Sequence, residues 1–130
     1  MNEMPVEPQL DAEAARETRK GVEEFNSGRF FECHDTLEDV WRGVHGPARD
    51  FFQGIIQISV GFYHLQNGNL TGAESQLEKA LRNLVPYGDR YAGLNLAVLV
   101  CDVRTWLERI RSGKPMHGSV ADLPKIRFDL

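Results

Sequence analysis

The chain has 130 residues, 42% hydrophobic and 26% charged, with a net charge of −4. That is enough apolar material for one small core without disulfide or metal staples, and the net acidity excludes the bulk electrostatic pull that draws a protein to nucleic acid or an anionic membrane. The opening MNEMPVEPQL has no basic-then-apolar run of a secretion signal, and the longest uncharged run, residues 51–65, is too short to span a bilayer, so a soluble cytoplasmic protein is expected.

Residues 1–10 read as a flexible N-terminal arm and residues 11–112 as a single helical domain. Apolar residues recur at three and four, which is helical spacing. The first helix is expected from about Asp11 to Asn26 and the second from about Arg29 to Val44. A third follows Gly46-Pro47, where proline suits the first helical position, and ends near Asn67-Gly68. The fourth begins at Thr71, where Thr71-x-x-Glu74 has capping-box spacing, and stops near Pro86. The fifth covers about Arg90 to Ser112 and ends at Gly113-Lys114-Pro115. The breaks are short, so neighbouring helices run antiparallel. Residues 113–130 form an extended tail, in which Val120, Leu123, Ile126, Phe128 and Leu130 are apolar and partly alternate. A lone strand does not stand in water, so the tail should lie across the helices of this subunit or of a neighbour.

An internal repeat supports two stacked hairpins. Aligning Asn26–Trp41 with Gln66–Leu81 puts Gly28 on Gly68, Cys33 on Ala73, Leu37 on Leu77, Glu38 on Glu78 and Trp41 on Leu81. The second copy, NGNLTGAESQLEKAL, looks like the turn and second helix of a tetratricopeptide repeat. Two copies are too few for a solenoid. The fold class is therefore all-α, with about five helices: two tetratricopeptide-like antiparallel hairpins, a closing C-terminal helix and the tail.

On a wheel at about 100° per residue, Phe30, Cys33, Leu37, Val40, Trp41 and Val44 share the core arc of the second helix. Glu32, Asp35, Thr36, Asp39 and Arg42 lie away from it. His34 and Glu38 flank the arc one turn apart, so their side chains can meet. On the third helix Gln53, Gln57 and His64 form a narrow polar stripe, with Gly61 among them. A solvent-facing stripe usually carries Lys or Glu, and this one is uncharged, which suits a half-buried pocket. Cys33 and Cys101 sit in apolar helical patterns outside any CxxC pair and read as buried thiols in a reducing compartment.

FNSGRFFECHDTLEDVW and ARDFFQGIIQISVGFYHLQNGNLTGAESQLEKAL resemble the domain of unknown function 309 (DUF309) family of small all-helical proteins. The resemblance rests on His34, Glu38 and Trp41 in a His-x-x-x-Glu-x-x-Trp signature, then Arg49, Gln53 and Gly54 in Arg-x-x-x-Gln-Gly, with Gln57, Tyr63-His64 and Gly68-Asn69 also matching. It covers roughly residues 20–87. Asp35 stands where the family commonly has Glu. The family carries no established activity, so the resemblance implies a fold and a site, not a reaction.

Three readings of the polar residues stay open. In the first, a pocket between the second and third helices binds a small polar ligand. His34 and Glu38 are then the catalytic candidates for proton transfer, and Trp41, Arg49, Gln53, Gln57 and His64 are the ligand-binding residues. In the second, the cluster is a structural network inside a helical interaction module that pairs as a homodimer through the fifth helix or the tail, where Leu94, Val98 and Cys101 exceed one narrow stripe. In the third, His34, Glu38 and His64 hold a single metal ion, although the paired Glu-x-x-His of di-iron bundles is absent. No cofactor motif, P-loop, basic stripe or nucleophilic triad is visible.

Overall fold

The computed structural model describes residues 6–113 and 123–128. These form α1 (Ala12–Asn26), α2 (Phe30–Arg42), α3 (Arg49–Gln66), α4 (Leu70–Leu84) and α5 (Leu96–Ser112), with a two-stranded hairpin, β1 (Arg90–Tyr91) and β2 (Leu94–Asn95), ahead of α5. The all-α class and the hairpin packing of α1 on α2 and of α3 on α4 agree with the expectation.

The repeat appears in the backbone. Gly28 and Gly68 both adopt φ 76°, the left-handed conformation that ends a helix without a Cβ penalty. In each hairpin the amide after that glycine returns to the first helix, Arg29 to the Glu24 carbonyl and Asn69 to the His64 carbonyl, both at 2.9 Å. Cys33 and Ala73, and Leu37 and Leu77, are equally buried. The equivalence extends further back than residue 26. A Cβ on Gly21 would lie 2.6 Å from Leu37 Cδ2, and one on Gly61 would lie 2.7 Å from Leu77 Cδ2. Each hairpin thus closes by setting a leucine onto a bare backbone patch of the preceding helix.

Two element starts differ from the expectation. The first helix starts as expected to within a residue, with Asp11 as the cap of α1, accepting from the Ala14 amide. The α4 cap, however, is Asn69, which accepts from the Gly72 amide; the Thr71-x-x-Glu74 box is not used because α4 has already begun at Leu70. The stretch 90–95 is a β-hairpin rather than the start of the fifth helix. Ala92 (φ 53°) and Gly93 (φ 76°) form its two-residue turn, the positive-φ pair that matches strand twist, and Asn95 caps α5 by accepting from the Val98 amide.

The core runs from Val22, Phe25 and Phe30 through Phe51, Phe52, Ile55 and Phe62 to Leu99, Val103 and Trp106. The described part of the tail packs on this same subunit. Asn26 exchanges two hydrogen bonds with the Ile126 backbone, at 2.8 and 2.7 Å. The Asn95 amide donates to the Arg127 carbonyl at 2.9 Å, and Phe128 bridges Leu94. The remainder of the 113–130 tail lies outside the described residues. At the other end, Tyr91 Oη donates to the Val6 carbonyl and the Ala92 amide to Glu7 Oε2, so residues 6 and 7 of the arm meet the hairpin turn. Leu94, read as surplus apolar surface, is buried in β2, whereas Val98 is exposed. Cys33 is buried but Cys101 is exposed: Leu96, Leu99, Val100, Val103, Leu107 and Ile110 take the core face of α5 and leave position 101 outside it. Thr36, placed away from the core arc on the helical wheel, is buried.

Candidate functional site

The i, i+4 spacing on α2 brings His34 and Glu38 together, Nε2 to Oε2 at 2.8 Å, with side-chain exposures of 27% and 34%. Glu38 Oε1 also accepts from Arg42 at 3.0 Å, and Asp35 stands 3.4 Å from His34 Nδ1. Both imidazole nitrogens therefore face carboxylates, and His34 can act on a ligand only by parting from one of them. Phe31 sits beside His34 at 6.0 Å between ring centroids and packs on Tyr63 of α3 at 5.5 Å. Phe31 and Tyr63 are exposed. The result is an open surface: two aromatic rings flanked by a shared carboxylate, on the side where α2 meets α3.

Trp41 and Arg49 form a separate unit at the α2–α3 junction. The Arg49 guanidinium lies over the indole, 3.9 Å from its centroid. Its Nη1 donates to the Val44 carbonyl at 2.9 Å and, more weakly, to the Trp41 carbonyl at 3.3 Å, which also accepts from the Val44 amide, so Arg49 ties the turn after α2 to the start of α3. Trp41 is half-buried rather than central to the core, packing at the core's edge, and its buried indole N–H has no hydrogen-bond partner.

Within the polar stripe of α3, Gln57 turns to α4 and His64 to the turn that precedes it. Gln57 Oε1 accepts from Asn83 Nδ2 at 2.8 Å, and His64 Nδ1 lies 3.4 Å from Asn69 Nδ2. Gly54 and Gly61 touch Leu84 and Leu77 of α4. Gln53 is half-buried. The residues read as one pocket thus fall into three groups: the His34–Glu38 dyad, the Trp41–Arg49 clasp and the Gln57 and His64 ties. The signal for the α4 direction was the glycine pair, whose spacing puts the close approach on that face.

Two clefts lie elsewhere. One of about 480 Å³ runs between residues 6–11, the start of α1 and the end of α2, and includes Glu7, Glu17, Asp39 and His45. One of about 340 Å³ lies between α5 and the returning tail. Among the described residues no group of three His, Cys, Asp or Glu side chains comes together that could hold a metal ion. Cys33 is not a nucleophile: burial pushes its thiol up to about 12, against the opposing hydrogen bond from Ser59. No helix among the described residues is long and apolar enough to cross a membrane.

Residues 18–76 match the family model described as domain of unknown function (DUF309). The family resemblance read from the sequence is shown over this stretch. The match takes in the dyad, the clasp and the α3 stripe. An uncharacterized protein of Aquifex aeolicus (strain VF5) is 22% identical over 108 residues, 82% of this chain and 30% of that protein. The uncharacterized protein YpuF of Bacillus subtilis (strain 168) is 35% identical over 63 residues, 47% of this chain and 36% of that protein. The matched stretches span about a third of these curated relatives. The matched family is described as one of unknown function and both relatives as uncharacterized, so geometry carries the functional reading.

Proposed function

We propose that this protein is a binding module, and that the Phe31–His34–Glu38–Tyr63 surface takes a small polar ligand bearing a cationic, guanidinium-like group. The carrying observation comes from the repeat. The positions equivalent to His34 and Glu38 in the second hairpin are Glu74 and Glu78. There the following helix supplies a cation, Arg111 of α5, whose Nε and Nη2 stand 3.2 and 3.0 Å from the two carboxylates. In the first hairpin the following helix supplies Tyr63 and no cation. Glu38 is left to share itself between His34 and the largely exposed Arg42, and an aromatic face stands ready for cation–π contact. A guanidinium ligand would take the place in the first hairpin that Arg111 fills in the second.

The test is an amide-resolved NMR titration with N-acetyl-arginine amide against neutral N-acetyl-norleucine amide. Shifts confined to residues 31, 34, 38 and 63 for the arginine probe alone are expected. Tyr63→Arg should fill the gap internally, leave the fold intact and abolish the response. Equal responses to both probes, or an undiminished response in Tyr63→Arg, would refute the reading.

A second reading, the helical interaction module, draws on the Gln57–Asn83 tie, which makes part of the polar stripe architectural. In that reading the exposed Val98 and Cys101 of α5 form the edge of a homodimer, checked by light scattering of the eluting protein. The two free thiols suit a reducing, cytoplasmic setting.

A further inference from the structure

The cleft between α5 and the returning tail has a charge character opposite to that of the chain. On α5, Asp102, Thr105, Trp106 and Arg109 follow helical spacing onto one wall, and Lys125 and Arg127 form the other. Residues two apart in an extended segment point to the same side. Ile126 between them is 2% exposed and turned into the core, so Lys125 and Arg127 both turn outward to the cleft. The tail is fixed there by the Asn26–Ile126 pair and the Asn95–Arg127 backbone bond.

Among the described residues, three cationic side chains therefore line about 340 Å³, with one carboxylate, Asp102. Among the described residues none of the three makes an ion pair, whereas Arg42, Arg82 and Arg111 all do. The Arg109 guanidinium lies over the Trp106 ring, 4.3 Å from its centroid, a contact that holds its position while its N–H donors make no ion pair among the described residues. Lys125 Nζ gives one hydrogen bond to the Asn26 carbonyl, at 2.8 Å, and keeps further donors. Three cations against one carboxylate among the described residues leave a net repulsion, which a bridging anion relieves. Guanidinium forks match phosphoryl oxygens in pairs.

We infer that this cleft is a second binding site, for a small phosphorylated anion held by Arg109, Lys125 and Arg127. Its volume suits a compact phosphoryl ligand rather than a polymer, and three cations in a chain of net charge −4 give too little attraction for a nucleic acid track. The site shares no residue with the α2–α3 surface, so the two readings stand or fall separately.

Inorganic pyrophosphate, titrated into the full chain carrying Trp41→Phe, should change Trp106 fluorescence saturably, and amide shifts should map to residues 98–109 and 123–127. Arg127→Gln, whose side chain is exposed and makes no hydrogen bond among the described residues, should weaken binding about tenfold or more while leaving the spectrum folded. Raising the salt should weaken it further. No saturable change, or equal affinity in Arg127→Gln, would overturn the inference. Binding to phosphatidate-containing vesicles without binding of pyrophosphate would do so as well, by making the surface a lipid contact instead.

Discussion

Replacing Arg49 separates a residue that builds the fold from one that waits for a ligand. In the structure Arg49 bonds two carbonyls at the end of α2 and covers the Trp41 ring. A hydrogen bond from a charged donor contributes roughly 1.5–3 kcal/mol. Here one nitrogen serves both acceptors in a half-buried setting, so about 1.5 kcal/mol for the pair is reasonable. The cation–π contact adds about 1 kcal/mol, and the ordering of a long side chain offsets part of the total. Arg49→Ala should therefore cost about 2 kcal/mol, which for a domain of this size lowers Tm by roughly 8 °C or more. Arg49→Lys keeps the charge but loses the planar guanidinium over the indole and the nitrogen that reaches both carbonyls, and should recover less than half. A double-mutant cycle with Trp41→Leu should give a coupling of about 1 kcal/mol, measured by urea melts. If Arg49 served a ligand instead, its removal would leave stability unchanged or raise it. A Tm change for Arg49→Ala within about 2 °C, with no coupling to Trp41, would refute the clasp.

Gly61→Ala gains about 1 kcal/mol of helix propensity but drives a methyl into Leu77, an overpacking cost of about 1–3 kcal/mol; a net loss near 1 kcal/mol is expected in urea melts, and a gain would mean that α4 can step aside. Gln57→Leu leaves only Asn83 without a partner at a half-exposed site, so its effect in the same melts should stay under about 1 kcal/mol. Native protein should react with a thiol reagent at Cys101 and not at Cys33, giving one thiol folded and two unfolded by absorbance. Stability should fall with rising pH above about 9: the unfolded Cys33 thiol ionises there while the folded one holds its proton to about 12, so the unfolded state binds fewer protons across that window. Burial also raises the Tyr87 and Tyr91 phenols, which add a slope of the same sign above about 10, so Cys33→Ala should flatten the slope between about 9 and 10 in pH-resolved denaturant melts, and an unchanged slope there would assign it to another group.

The helices were legible because each is amphipathic with short, glycine-marked breaks, and a period of 3.6 survives any detail of packing. The β-hairpin was not. Its strands are two residues each, too short for alternation to register. Its turn is Ala92-Gly93 rather than the Asn-Gly that announces such a bend, and the surrounding apolar residues fit a helix equally well. The His34–Glu38 contact was legible because it lies within one helix, where spacing alone fixes the neighbours. The partners of Gln57 and His64 lie on another element or across a turn, and spacing within α3 does not say which neighbour a stripe meets.

The information that would have oriented that stripe was nevertheless in the sequence. Gly21 and Gly61 are 40 apart, as are Leu37 and Leu77. A glycine and a leucine repeated at the same offset in both halves mark a contact that both halves make, since a side-chain-free patch has a use where another chain approaches closely. With that contact placed, α4 is fixed against the Gly54–Gly61 face of α3, and Gln57, beside it on the wheel, must look toward α4. The same register then identifies what the halves do not share. Glu74 and Glu78 receive Arg111 from the next helix, while the helix after His34 and Glu38 brings Tyr63, which packs on Phe31 beside His34. Pseudo-symmetry predicts a cation at both places, and the fold supplies one. A site argued from this asymmetry needs no closed pocket, which is why it falls on an open surface beside Phe31 and Tyr63 rather than in either of the two clefts.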